Sequence, residues 1–171
     1  MNYDRKMDSA ALETFLADHG IGYSKIEHPP VMTCEEARAI LPENRDGFDT
    51  KNLFLRDKKG ARHVLAVIGH ECQADLKALA KLLGVQSVSF ASPDRLKQCL
   101  GVEPGSVTLM GLVHAPDHAV EVLIDEDVWS APAIRCHPLR NTASLVIAHA
   151  GIEAFLQATG HVPRVLTIPR R

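Results

Sequence analysis

The stretch KNLFLRDKKGARHVLAVIG, residues 51–69, decides the fold. Two apolar-rich runs, Asn52–Arg56 and His63–Ile68, flank Asp57, Lys58, Lys59 and Gly60, the residues of a turn. This pattern predicts an antiparallel hairpin. Upstream, Leu12, Phe15 and Leu16 form an i, i+3, i+4 stripe that Asp8 or Ser9 can cap and Gly20 closes, which predicts a helix. A rigid His28-Pro29-Pro30 turn follows. Thr33 and Glu36 then have the spacing of a capping box for a short helix that Pro42 ends, and residues 42–50 read as a loop.

Downstream, Leu76, Leu79, Ala80 and Leu83 predict a second amphipathic helix closed by Gly84, and Gln86–Phe90 reads as a short strand. Ser92 before Pro93 opens another helix, which Gly101 ends. Beyond it, Ser106–Val113, Ala119–Ile124 and Ser144–His149 read as strands, Ile152–Thr159 as a helix, and Arg164–Ile168 as a returning strand. Interleaved helices and strands joined by hairpins predict an α/β (mixed α+β) fold with a curved, mixed, largely antiparallel sheet and surrounding helices.

The 171 residues suit one domain spanning 1–171, with 46% hydrophobic and 23% charged residues. A formal net charge of −2, from 19 basic and 21 acidic groups, argues against bulk DNA binding, which needs many phosphate-neutralising cations. Local contact with one folded RNA remains compatible with that balance. No apolar run approaches the roughly 18 residues of a membrane span, and residues 1–6 lead into no apolar signal region. The expectation is a cytoplasmic protein. Cys34, Cys72, Cys99 and Cys136 are too scattered for a zinc ribbon or a disulfide framework and read as reduced thiols.

No G-x-S-x-G, P-loop, G-x-G-x-x-G or H-E-x-x-H motif is present. His114 and His118 stand four apart, but Pro116 between them makes a turn and removes the shared helical face. Neither a metal nor a cofactor is expected. Three polar clusters stand out. Thr50, Lys51 and Asn52 sit at a strand mouth and offer a positive charge beside a donor and an acceptor. Gly101–Thr108 holds two glycines and a proline, able to present backbone N–H groups to a carbonyl or an anion. His137, Pro138, Asn141 and Thr142 form a polar turn between apolar runs.

Taken together and in this order, the segments 51–57, 100–108 and 137–142 resemble the YbaK/prolyl-tRNA synthetase-associated family of editing domains. The branch they most resemble is the free-standing Ala-tRNA(Pro) deacylases. The resemblance runs from His28 to Pro163. It implies a trans-acting hydrolase of mischarged aminoacyl-tRNA esters, with tRNA(Pro) as partner through its acceptor end and prolyl-tRNA synthetase as a further partner. It also implies Lys51, Gly105 and His137 as catalytic groups, and Asn52, Leu53, Ser106, Val107, Thr108, Met110 and Asn141 as substrate-binding groups. Two departures stand out. Family members commonly place a proline after the G-S-V-T run, where this chain has Leu109, and an Asn-Asp pair shortly afterwards, where it has Val113 and His114.

This chemistry suits the residues. An aminoacyl ester is already reactive, so an aligned water, oxyanion stabilisation and a shaped pocket suffice. The lysine would bind or stabilise charge, being protonated near neutrality, and the histidine would position substrate or shuttle a proton. A pocket able to reject proline by size would draw on Leu53, Leu55, Val67 and Met110. Lys58, Lys59, Arg62 and Arg45 are candidate phosphate contacts. Two other readings share these features: the same fold acting on cysteinyl, seryl or 2-aminobutyryl esters, and a non-catalytic RNA- or protein-binding homologue.

Overall fold

The computed structural model describes residues 6–31, 33, 35, 36, 39, 47–115 and 119–171. Its centre is the hairpin of β2 (Phe48–Asp57) and β3 (His63–Gly69), paired from Thr50↔Gly69 to Arg56↔His63. Asp57 makes the turn. Its Oδ1 accepts from the backbone N–H groups of Ala61 at 2.8 Å and Arg62 at 2.9 Å. The Arg62 N–H, more than any other group, holds this carboxyl below the usual aspartate range.

Strand alternation divides the hairpin into two faces. Phe54, Leu65 and Val67 face a core with Leu12, Leu16, Leu100, Met110, Leu145 and Phe155. Leu55, Val64, Ala66 and Ile68 face a second core shared with Leu79 and Leu83. The first core takes its helices from α1 (Ser9–Asp18), capped by Asp8, and from α3 (Pro93–Leu100), capped by Ser92 with a proline in the first turn. α2 (Leu76–Leu83), capped by Asp75, lies over the second.

The sheet runs β1 (Ser24–Glu27), β7 (Ala143–Ala148), β6 (Ala133–Cys136), β2, β3, β5 (Glu121–Asp125), β8 (Arg164–Leu166), with β4 (Val88–Phe90) also paired to β2. Four pairings are antiparallel (β1–β7, β2–β3, β2–β4, β6–β7). The other three, β2–β6, β3–β5 and β5–β8, are parallel. The mixed, mostly antiparallel sheet with surrounding helices is therefore as expected.

Local differences have physical reasons. The run 106–113 is not a strand: it is a loop followed by a 3-10 helix, Leu109–His114. Thr108 caps that helix, its Oγ1 accepting from Met110 N at 3.2 Å. A Cβ on Gly111 would lie 2.9 Å from Leu100 Cβ, so the glycine lets the turn press onto α3. The unexpected β1 and β6 have four residues each, too few to declare a period, and the one-turn α4 (Glu126–Trp129) was likewise unforeseen. α5 begins at His149, directly after β7, three residues ahead of the expected start. The Thr33–Glu36 capping box forms reciprocally, at 3.1 and 3.3 Å, while Cys34, Pro42 and Arg45 lie outside the described residues. Among the described residues no helix is long and apolar enough to cross a membrane.

Gly101 ends α3 at φ +68°, and a Cβ there would meet the His114 ring at 2.5 Å. The left-handed conformation alone costs a non-glycine residue about 1–2 kcal/mol. Gly101→Ala should therefore lower stability by at least that much in a denaturant titration, and an unchanged midpoint would refute this account of the helix end.

Candidate active site

One edge of β2 is shared by two strands. β6 pairs at Phe48↔Ile134 and Asp49↔Arg135, and β4 pairs from Leu55↔Phe90 to Asp57↔Val88. Ala91 N donates to Phe54 O at 2.9 Å, so among the described residues Lys51–Leu53 have no strand beside them on this edge. Thr50 Oγ1 donates to Arg135 O at 2.8 Å, and the Arg135 guanidinium pairs with Asp49 at 3.3 Å, which pins the register at the upper rim.

The β2–β6 pairing ends at Asp49↔Arg135, so Lys51 and His137 each lie two residues beyond its last pair. The Lys51 ammonium makes no hydrogen bond or ion pair with a described residue. Asn52 points to the face of β2 opposite Lys51, and its Oδ1 is buried with no hydrogen-bond partner among the described residues. Such an orphaned acceptor is rare and asks for a donor.

His137 is held by its Nδ1, 3.0 Å from Ala143 O. A carbonyl only accepts, so Nδ1 carries the proton and Nε2 keeps its lone pair. Burial pushes His137 below the ordinary imidazole range, against the Ala143 bond and with a smaller push from the nearby His28. The preceding Cys136 faces the first core, and burial raises its thiol to about 12. A thiol so hard to ionise is a poor nucleophile.

Thr108 joins the glycine loop to this histidine. Its side chain is fully buried, and Oγ1 donates to His137 O at 2.7 Å while accepting from Met110 N. Gly105, at φ +88°, turns the chain just before it, with Ser106 N bonded to Glu103 O. Ser106 is buried, and Val107 packs on the first core.

Asn141 acts as a clamp: Nδ2 donates to Val31 O at 2.9 Å, and Val31 N donates back to Asn141 O. Leu139, between His137 and this clamp, has φ +65°. Such a conformation costs a leucine about 1–3 kcal/mol and persists only when its surroundings enforce it. Arg140 is part of that enforcement, with its guanidinium on both Glu27 oxygens at 2.7 and 2.9 Å and on Thr142 Oγ1.

Other expected groupings are separated. Leu53 and Leu55 belong to the second core, Val67 and Met110 to the first, so the four lie on opposite faces of the hairpin. Arg62 is occupied by Glu121 at 2.6 and 2.8 Å and by Leu83 O, whereas Lys58 and Lys59 are exposed. His114 has Leu100 O and Met7 O on its two ring nitrogens, and His118 lies outside the described residues. Sequence reasoning missed His28 and Ser144 at the site. The HPP turn was the available signal for the first.

Both the sequence and the fold are matched by known proteins. The chain belongs to the family of the aminoacyl-tRNA editing domain, whose family model matches residues 28–155. It is 36% identical over 148 residues to the prolyl-tRNA editing protein ProX of Acetoanaerobium sticklandii, covering 86% of this chain and 90% of that protein. It is 34% identical over 160 residues to the prolyl-tRNA synthetase associated domain-containing protein 1 of Danio rerio, covering 91% and 85% respectively. Among solved structures, one described as a candidate trans-editing enzyme for prolyl tRNA synthetase superposes with a TM-score of 0.66 at 20% identity. That match covers 96% of this chain and 99% of the other, and at this identity it speaks for the fold.

Replacing Thr108 by valine keeps the shape but strips the His137 carbonyl and the Met110 N–H of their shared partner. Leaving such groups unsatisfied costs about 1–3 kcal/mol. Thr108→Val should show that loss in chemical denaturation, and a stability equal to wild type would mean the loop is not held this way.

Proposed function

We propose that this protein hydrolyses the ester of Ala-tRNA(Pro), acting in trans in the cytoplasm on the acceptor end of tRNAs misloaded by prolyl-tRNA synthetase. The observation that carries this reading is the open edge of β2 at Lys51–Leu53, where the Lys51 ammonium has no described partner, together with a His137 whose Nε2 is unbonded among the described residues. Water adds to the ester carbonyl, the tetrahedral oxyanion collapses, and the ribose oxygen leaves with a proton. The products are alanine and tRNA with a free terminal hydroxyl.

Each group has a part suited to its chemistry. The Lys51 ammonium holds a terminal phosphate or hydroxyl, or steadies the developing oxyanion. Backbone N–H groups of Gly105–Thr108 bind the carbonyl oxygen, where one preorganised donor is worth on the order of 10²–10³ in rate. The substrate's neighbouring ribose hydroxyl helps to activate the water, and His137 positions substrate or relays the proton. Asn52 Oδ1 can take the aminoacyl ammonium or a ribose hydroxyl, both donors that this substrate supplies. Editing of this kind answers a weakness of binding, since a methylene in a pocket is worth only about 1–3 kcal/mol.

The test is release of labelled alanine from Ala-tRNA(Pro), with Pro-tRNA(Pro), Ala-tRNA(Ala) and the cysteinyl, seryl and 2-aminobutyryl esters of tRNA(Pro) beside it. Fast loss from Ala-tRNA(Pro), sparing Pro-tRNA(Pro), is the expected outcome. Lys51→Ala and His137→Ala should each lower kcat/KM by about 10²-fold or more. Release no faster than in buffer would end the alanine assignment.

The pH profile follows from His137. The active form is neutral, so activity falls as pH drops through the histidine's folded-state pKa. Burial lowers that pKa. The acid limb should therefore lie below the ordinary imidazole value of about 6.5. A limb centred above that value would be inconsistent with His137 as the group being titrated.

A further inference from the structure

We infer that His28 is a positioning residue of this site: its ring, tied through Ser144 to β7, holds the His137 imidazole in one orientation. This rests on the reading that His137 takes part in hydrolysis. An imidazole anchored by Nδ1 alone keeps rotational freedom, and a second contact is needed to fix where the other nitrogen points.

His28 supplies that contact. The two rings lie 6.3 Å apart between centroids at an interplanar angle of 62°, an edge-to-face arrangement. His28 is itself immobilised at three points. Nδ1 is 2.9 Å from Pro29 O and so carries the proton. Nε2 is 2.9 Å from Ser144 Oγ and accepts from that hydroxyl, and the backbone N–H donates to Thr142 O at 3.0 Å. Ser144 is 2% exposed, so its hydroxyl has no competing solvent.

The anchors of both rings come from one piece of chain. The β6–β7 pairing, continued past Cys136↔Leu145, sets Ser144 level with His137, and β1 pairs Ile26 with Ser144. Ala143 holds His137, Ser144 and Thr142 hold His28, and Asn141 clamps Val31 just beyond the two prolines. His28 lies at the edge of the His137 ring, and the Arg135–Asp49 ion pair stands two residues before His137 on the chain. Arg140, in the same turn, is taken up by Glu27. A change at His28 therefore reaches His137 with little interference.

The experiment compares wild type with His28→Ala, His28→Phe, Ser144→Ala and, as control, His137→Ala. The His137 ring is followed by NMR titration, and kcat and KM for Ala-tRNA(Pro) are measured across pH. Expected for His28→Ala are a His137 titration midpoint and an acid limb both moved to higher pH, with kcat down about tenfold and KM within about twofold. His28→Phe keeps the ring edge without the Ser144 bond, so it should recover kcat in part. Should His28→Ala fail to fold, the Phe and Ser144 variants carry the same comparison.

A midpoint and kcat unchanged in these variants, with His137→Ala inactive, would overturn the inference and leave the hydrolytic reading standing. A rise in KM alone, with the midpoint fixed, would overturn it as well. If His137→Ala were fully active, the hydrolytic role of His137 would fall, and with it the inference.

Discussion

Two strands compete for one edge of β2, and neither can take all of it. β6 claims the first two residues and β4 the last three, because each is joined to elements packed on a different core. The segment between them keeps unsatisfied strand-edge groups, which a folded protein ordinarily pairs or covers. Here the interruption lies at the lysine. The opening is a result of sheet topology, so it is supported by both hydrophobic cores and needs no separate scaffold.

The surroundings of the opening are largely uncharged. His137 is half-buried with its imidazole held below the ordinary range, Cys136 is turned away with its thiol hard to ionise, and the groups nearest the histidine are carbonyls, hydroxyls and a second imidazole. An activated ester asks for little: a held carbonyl, a positioned water and one fixed cation. Lys51 can meet the last requirement because no described carboxylate neutralises it.

Much of this was legible in the order of residues. The hairpin announced itself through alternation and its Asp57–Gly60 turn, and the helix caps at Asp8, Ser92, Gly84 and Gly101 stand where their chemistry required. The three polar clusters were also visible, and Thr108 does bring the glycine loop to His137. The failures have causes. The run 106–113 is almost continuously apolar, so period could not separate a strand from a buried 3-10 turn. β1 and β6 are four residues long and depend on β7 and β2 for their existence. Arg62 resembled an available cation because Glu121, 59 residues away, is brought to it only by the parallel pairing of β3 and β5. The division of Leu53 from Met110 required knowing which face each residue took.

The contact between β2 and β6 is only two residues long, yet it fixes where the open edge of β2 begins. A slip of one position would turn Lys51 to the face that Asn52 now takes, toward the first core. The Thr50–Arg135 and Asp49–Arg135 contacts act as an index mark against that slip. Insertions and deletions in the 58–60 turn leave this mark untouched, whereas a single residue added between Asp49 and Lys51 would rewrite the site. Length, more than side-chain identity, is what this short segment has to conserve.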